Sequence, residues 1–230
     1  MFSAAILIFV FSIVGAAQQS SGGEERQVLP VDEGKTDASF AAFRQKFIAA
    51  VKRRDLKFLL ETLDPNIKAS FGGDYGVAGF MKLWKLNRQP EKSKVWAELL
   101  TVLTNGGTFS KNPELKTKEF CAPYSFTVFH EDVDGFEYQM IFGKDVNLRA
   151  EPNTKSKIVA RLSYNIVRVD YENSVADKNK EGEYVWLKVE TLGGKTGFVS
   201  APLVRSTIDY RGCFERVKGK WKMTFFLAGD

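Results

Sequence analysis

Short apolar runs separated by turn residues, between Asp145 and Val204, constrain the fold of this 230-residue chain more than any other feature. The pattern has no helical period, and β-branched residues and Leu dominate it. Close spacing of short strands is typical of a small β-barrel. The apolar runs are Val146–Leu148, Ile158–Leu162, Tyr184–Val189 and Gly197–Val199, and turn residues lie at Glu151–Asn153 and Gly193–Gly194.

The four runs also have a recognisable order. They read V-N-L-R-x-x-P from Val146, I-V-x-x-L from Ile158, W-x-K-V from Trp186 and G-x-x-G-F-V from Gly194. In this order the stretch resembles the bacterial SH3 domain, the SH3b family. The resemblance implies a non-catalytic binding module, frequently attached to proteins that work in or near the cell wall. Many members carry Trp where this chain has Phe198, so a stacking platform there would be smaller.

Five side chains of the predicted barrel are candidates for ligand binding. Aromatic rings and donors in a groove would suit a peptide or a sugar. An alternative gives them structural roles: Trp186 and Phe198 would fill the interior, since a small barrel needs large side chains inside, and Arg149 would cap the turn near Pro152. The candidates are Asn147, Arg149, Tyr164, Trp186 and Phe198.

The first residues predict export. The apolar run from Ala4 to Val14 is too short to span a membrane readily, and small residues at Gly15–Ala17 suit signal-peptide cleavage. Residues 1–17 are therefore predicted to be a signal peptide, and the polar residues 18–36 a disordered linker. The protein would be secreted or periplasmic. The alternative is that the run stays as an anchor, since no Lys or Arg precedes it.

Apolar residues take a helical period after residue 36. Two stripes follow possible caps at Asp37 and Asp55, a third helix is predicted at Val77–Leu86, and a further helix follows Ser93. The stripes are Phe40, Phe43, Phe47 and Val51, then Leu56, Leu59, Leu60 and Leu63.

Two alternating runs at the C-terminus predict a hairpin. They flank Lys218–Lys220, which contains the turn glycine. Such a hairpin is marginal alone, so we expect it to pack on the helices. The predicted architecture is α+β: a domain of residues 37–135 and 206–230, with an SH3-like barrel of residues 136–205 inserted.

A second resemblance covers nearly the whole chain after residue 17. Phe71–Asp74, Ala122–Tyr124 and Ala228–Asp230 are similar to stretches of an uncharacterised family of secreted bacterial proteins with an SH3 domain. That family has no known activity, so the resemblance implies architecture rather than function.

The sequence offers few residues that could carry out catalysis. The chain has one histidine, His130, whereas catalytic triads and most zinc sites need at least one oriented His and usually more. The acids around His130 favour a solvated turn over a metal cluster, because adjacent residues do not share a face. A carboxylate-only glycan hydrolase is the alternative, with Asp64, Asp74 and Glu131 as first candidates. We predict no enzyme activity, no cofactor and no metal.

The charge balance favours anionic partners. Formal net charge is +5, with a pI near 9.1. Basic helical residues form a solvated face that could attract anionic wall polymers or lipid headgroups; nucleic acid is not expected, and membrane contact would be at most peripheral. The leading interpretation is a binding protein of the cell envelope that recognises peptidoglycan or a wall-associated protein. The alternatives are the hydrolase and a structural partner of another exported protein.

The two cysteines, Cys121 and Cys213, lie on either side of the predicted barrel. An oxidising compartment permits a disulfide between them, which would join the hairpin to the first domain. Two buried free thiols are the alternative, because sequence positions say nothing about distance.

Overall fold

The computed structural model describes residues 23–73 and 75–229, which form two β-sheets, with helices packed against the first. The helices are α1 (Ala38–Arg53), α2 (Leu56–Thr62), α3 (Gly76–Leu83), α4 (Val95–Thr104) and α5 (Tyr124–Thr127). Short 3-10 helices cover Glu33–Thr36, Pro90–Lys92 and Ala201–Leu203. The predicted signal peptide lies outside the described residues.

Side-chain caps begin the first two helices. Asp37 Oδ1 accepts hydrogen bonds from the backbone N–H groups of Ser39 and Phe40, at 3.0 and 3.1 Å. Asp55 Oδ1 accepts from Phe58 N at 3.0 Å. Each cap satisfies N–H groups that have no partner within the helix, so the starts of α1 and α2 are fixed locally.

The first sheet has five strands, and the C-terminal hairpin lies at its centre. Its order is β1-β12-β11-β3-β2, with only β1 parallel to its neighbour among the described strands. Lys218 and Gly219 both have positive φ, the conformation that a type I′ hairpin turn requires. The strands are β1 (Leu63–Lys68), β2 (Thr108–Phe109), β3 (Glu119–Ala122), β11 (Arg211–Val217) and β12 (Lys220–Leu227).

The core between this sheet and the helices is rich in aromatic rings. Phe40 is fully buried, and its ring centroid lies 4.3 Å from that of Phe120 and 4.9 Å from that of Trp221. Helix α1 thus packs directly on β3 and β12. Other fully buried rings of this core are Phe47, Phe80, Phe214 and Phe226.

The second sheet has seven antiparallel strands in the order β10-β4-β7-β8-β9-β5-β6. This curled antiparallel sheet is consistent with the SH3-like barrel that the alternating runs predict, and the predicted α+β class is confirmed. The strands are β4 (Tyr138–Ile141), β5 (Val146–Arg149), β6 (Ile158–Leu162), β7 (Ile166–Ala176), β8 (Tyr184–Thr191), β9 (Thr196–Ser200) and β10 (Val204–Arg205).

A disulfide joins Cys121 on β3 to Cys213 on β11. The two residues are direct partners in the antiparallel register of these strands, with Cα atoms 4.1 Å apart. The bond therefore closes a long loop that contains the whole second sheet.

The prediction of a disordered linker at residues 18–36 is wrong for residues 23–36, which we call the strap. Residues 18–22 lie outside the described residues. Arg26 forms two hydrogen bonds of 2.7 Å with Asp132, and Val28 is buried. Asp32 pairs with Arg44 of α1 at 2.6 and 2.9 Å. The polar composition suggested disorder because it buries little apolar surface, but here the charged groups find partners on both parts of the protein.

Candidate functional site

Trp186 lies on the outer face of the barrel. In β8, Leu187 and Val189 are buried, whereas Trp186 and Lys188 are half-buried. Successive side chains of a strand point to opposite sides of the sheet. Trp186 and Lys188 therefore share the side that faces away from the interior.

The strand register brings Phe198 to the same side. Phe198 on β9 is directly opposite both Lys188 on β8 and Arg149 on β5, while Trp186 is opposite Ser200. The Nζ atom of Lys188 lies 4.8 Å from the centroid of the Phe198 ring, within cation–π range. We call this set of five residues, Arg149, Trp186, Lys188, Phe198 and Ser200, the outer face.

The buried residues of the barrel interior are all aliphatic, and the half-buried ring of Tyr184 packs against them. This corrects the expectation that a barrel of this size needs Trp186 and Phe198 as filling, because β-branched residues and Leu fill the space. The two rings are therefore left for the outer side. The buried residues of this interior are Ile141, Val146, Leu148, Leu162, Val167, Leu187, Val189 and Val199.

Gly197 allows β9 to approach β5 closely. A Cβ atom at this position would lie 2.6 Å from the carbonyl oxygen of Arg149 and 2.8 Å from the side chain of Leu148. Only glycine fits without displacing the backbone. Gly197 thereby holds Phe198 beside Arg149.

Arg149 has a structural role as well as its place on the outer face. Its Nη1 donates a 2.8 Å hydrogen bond to the carbonyl of Ser156, across the turn that follows β5. Asn147, two residues earlier, lies on the same side and opposite Arg161 of β6. Both side chains are half-buried; Arg149 belongs to the outer face, and Asn147 borders it.

A shallow depression of about 310 Å³ adjoins Lys188 on the outer side of β7, β8 and β9. Charged groups of both signs line it. Arg168 donates to Glu190 at 3.1 Å, and this bond raises the pKa of Arg168. A hydrogen bond from the Asn173 side chain lowers the pKa of Asp170, so this carboxylate stays charged well below neutral pH. The depression can therefore contact both cationic and anionic groups of a ligand.

The fifth predicted residue, Tyr164, lies elsewhere. It lines an open cleft of about 580 Å³ between the strap, the end of α4 and the barrel. Its ring meets Tyr124 edge-on at 6.5 Å, and Tyr124 stacks on Phe142 at 5.5 Å. Burial raises the pKa of Tyr124. The structure thus brings together four of the five predicted ligand residues and separates Tyr164 from them.

The strap supports the barrel beside β8 and β9. Glu25 accepts hydrogen bonds from Thr191 at 2.8 Å, Lys195 at 2.9 Å and Asn165 at 3.1 Å. Burial acts to raise the pKa of Glu25, but these bonds outweigh it and lower the pKa. The carboxylate is therefore charged at neutral pH and fixes the turn after β8.

The acids predicted for catalysis do not form a site among the described residues. Asp64 accepts from the backbone N–H of Asn66 at 2.8 Å, as a turn residue does, and Glu131 is exposed. Asp74 lies outside the described residues. Two other acids, Glu119 and Glu215, are direct partners across β3 and β11; burial and the Glu215 charge raise the pKa of Glu119. His130 contacts the carbonyl of Gln27 at 3.0 Å.

One group of metal-ligand residue types occurs in the part of the chain that the structure describes. It consists of Glu119, Cys121 and Cys213. Both sulfur atoms are committed to the disulfide, so they do not offer the thiolates that bind soft metals. Within the same described ranges, no helix combines the length and apolarity needed to span a bilayer.

Lys188 and the charged residues of the depression are functional candidates that sequence reasoning missed. A signal was present for Lys188: it follows Trp186 by two positions, so the two side chains share one side of a strand. Arg168, Asp170 and Glu190 carried no such signal, because their approach depends on the pairing of β7 with β8.

Comparison with known proteins identifies the barrel. Residues 144–205 match the family model of the bacterial SH3 domain. No curated protein matches the chain, and no solved structure does either. The match covers the strands that carry the outer face, and it supports a binding role in general.

Proposed function

We propose that the protein is a non-catalytic binding protein of the bacterial cell envelope, and that the outer face of its barrel recognises peptidoglycan or a wall-associated protein. The observation that carries the proposal is the placement of Trp186 and Phe198 outside an aliphatic interior. Half-buried aromatic rings that the interior does not need supply a surface for stacking or apolar contact.

The neighbouring charges fit a ligand of mixed polarity. Lys188 and Arg149 flank Phe198, and Asp170 and Glu190 line the depression beside it. A wall peptide carries both amino and carboxyl groups, so it would find complementary charges here. Neutral sugar rings would rely on Trp186 and Phe198 alone.

Sedimentation with purified sacculi tests the proposal. A protein that begins at Gln18 should pellet with sacculi at low salt, and part of this retention should persist at high salt, where exposed charge attraction is screened over roughly 3 Å at 1 M. Sedimentation no higher than that of a non-binding protein at low salt would contradict wall recognition. The partner-protein function would then be the better one.

The proposal includes export and cleavage near Ala17. Mass spectrometry of the exported protein should give an N-terminus close to Gln18. An intact Met1 would contradict cleavage.

The carboxylate-dependent hydrolase remains a second candidate because Glu119 and Glu215 are opposite each other and the pKa of Glu119 is raised. Zymography separates the two functions. A binding protein leaves the wall substrate intact, whereas a hydrolase clears it and loses that activity in Glu119→Gln.

A further inference from the structure

The connection between α3 and α4 forms an open cleft of about 550 Å³ in the helical part of the protein. None of its lining residues belongs to the barrel. We call it the basic cleft; it is lined by Leu83, Trp84, Lys85, Arg88, Gln89, Lys92, Ser93 and Lys94.

The positive charge of the basic cleft is largely unbalanced. Lys94 pairs with Glu183 at 3.3 Å, and both side chains are substantially exposed. Within residues 23–73 and 75–229, no ion pair involves Lys85, Arg88 or Lys92. Three cations that line the cleft are therefore unpaired within the described part of the chain, which favours an anionic ligand.

The start of α4 contributes to the same cleft. Ser93 and Lys94 immediately precede this ten-residue helix. Ser93 Oγ accepts from Val95 N at 3.2 Å and donates to the carbonyl of Trp84 at 2.7 Å. These bonds hold the helix start against the end of α3, and the positive end of the helix dipole adds to the field of the cations.

Lys85 occupies a backbone position that glycine usually takes. Its φ of 54° lies in the left-handed region that is typical of the residue after a helix end. The N–H of Lys85 donates to Lys82 and that of Leu86 donates to Met81, which is the Schellman arrangement that ends α3. A side chain in this conformation is less favourable than glycine. A lysine here places a cation at the cleft at some cost to folding.

The wall of the cleft is partly apolar. Leu83 is 38% exposed, and the buried indole of Trp84 has no acceptor for its N–H among the described residues. A ligand with a carbon skeleton between anionic groups would contact both the apolar wall and the cations.

We infer that the basic cleft is a second binding site, for a soluble ligand that carries several phosphate groups on a sugar or polyol skeleton. Several cations spread along one cleft suit repeated phosphates better than a single anion. A concave site of this kind admits a chain, whereas a flat bilayer surface does not enter it. The site is independent of the proposed function of the outer face.

Calorimetric titration with inorganic triphosphate, at low salt, tests the inference on the protein that begins at Gln18. The variant Lys85→Gly with Arg88→Gln should raise the Kd at least tenfold. The Lys85→Gly substitution should not lower the Tm, because glycine suits the left-handed backbone at this position. The matched control is Lys46→Gln with Lys52→Gln, which removes two exposed cations of α1 and should change the Kd less than twofold.

Equal losses of triphosphate affinity in the cleft variant and the α1 control would overturn the inference, because general charge attraction would then explain the binding. Unchanged binding in the cleft variant would overturn it too. A parallel titration with phosphatidylglycerol vesicles distinguishes the ligand source: vesicle binding that depends on Lys85 and Arg88, without triphosphate binding, would replace the soluble ligand by a membrane. Trp186→Ala with Phe198→Ala should leave triphosphate binding unchanged, so failure at the outer face does not affect this test.

Discussion

The two sheets of the protein use aromatic residues in opposite ways. In the first sheet and its helices, rings such as Phe40, Phe47 and Phe214 are fully buried and contact one another. In the barrel, aliphatic side chains fill the interior, and Trp186 and Phe198 remain half-buried on the outer face. Identical residue types thus contribute to stability in one region and are available for recognition in the other.

The difference follows from the space that each region must fill. A layer of helices on a sheet leaves a wide gap, which large rings fill at little cost in rotamer freedom. The closely approaching strands of the barrel leave a narrow interior, as the contact of Gly197 with β5 shows. The large size of an aromatic side chain is therefore not enough to place it in the core of a small barrel.

Removal of the disulfide should destabilise the protein most. The bond lies in the aromatic-rich first sheet, and the loop that it closes contains the barrel. Cys121→Ala with Cys213→Ala should lower the free energy of unfolding by about 4 to 5 kcal/mol, since the bond closes a loop with a sequence separation of 92. Urea unfolding followed by circular dichroism measures this. A loss below about 1 kcal/mol would mean that the bond hardly restricts the unfolded chain.

Truncation of a buried ring should cost slightly less. Phe47→Ala removes a fully buried side chain whose ring lies 6.0 Å from Phe58 and 6.3 Å from Phe214. We expect a loss of about 3 to 5 kcal/mol in unfolding free energy, from lost burial and the cavity left behind. Denaturant unfolding measures it, and a change within about 0.5 kcal/mol would contradict the assignment of this ring to the core.

The strap should show a smaller, pH-dependent effect. Burial acts to raise the pKa of Asp32, but the bond from Arg44 outweighs it and lowers the pKa below the usual 3.8. This interaction stabilises the protein above about pH 4 and is lost as Asp32 is protonated at lower pH. Asp32→Asn should therefore cost about 1 to 3 kcal/mol at pH 7. The difference from the unmodified protein should shrink below pH 4; a difference independent of pH would argue against the ion pair.

The smallest effect is a gain in stability. Burial and the opposing Glu215 raise the pKa of Glu119 above 4.5, so folding favours its protonated form. That contribution is present below pH 4.5 and is lost as the pH rises through the folded-state pKa. Glu119→Gln should raise the free energy of unfolding at pH 7 by up to about 1 kcal/mol, with little change at pH 4. The exposed Glu172→Gln is the control, and an equal gain there would indicate a general charge effect.

Sequence patterns predicted most of the elements but not the use of each face. Helical stripes located α1 and α2, and alternation located the barrel strands and the hairpin, because these signals depend on local periodicity. Helix α5 has four residues, about one turn, so it is too short to show a helical period in the sequence. The strap was missed because its stability comes from distant partners such as Asp132 and Arg44.

The outer face was ambiguous for a different reason. Side chains from Trp186 to Val189 point alternately to the two sides of the strand. Each side receives a large apolar residue, Trp186 on one and Leu187 on the other. Period-2 alternation separates two faces without saying which one is inside. Only the pairing of β8 with its neighbours, which places Leu187 and Val189 in the interior, decides it.

A paired measurement of wall binding and thermal unfolding tests whether Trp186 and Phe198 serve recognition rather than folding. Trp186→Ala with Phe198→Ala should reduce the sedimentation of the protein with sacculi at least tenfold and lower the Tm by only a few degrees, about 1 kcal/mol or less. Phe47→Ala should lower the Tm much more and, below its own Tm, leave sedimentation unchanged. Normal wall binding by the barrel variant, together with a Tm loss as large as that of Phe47→Ala, would contradict the account.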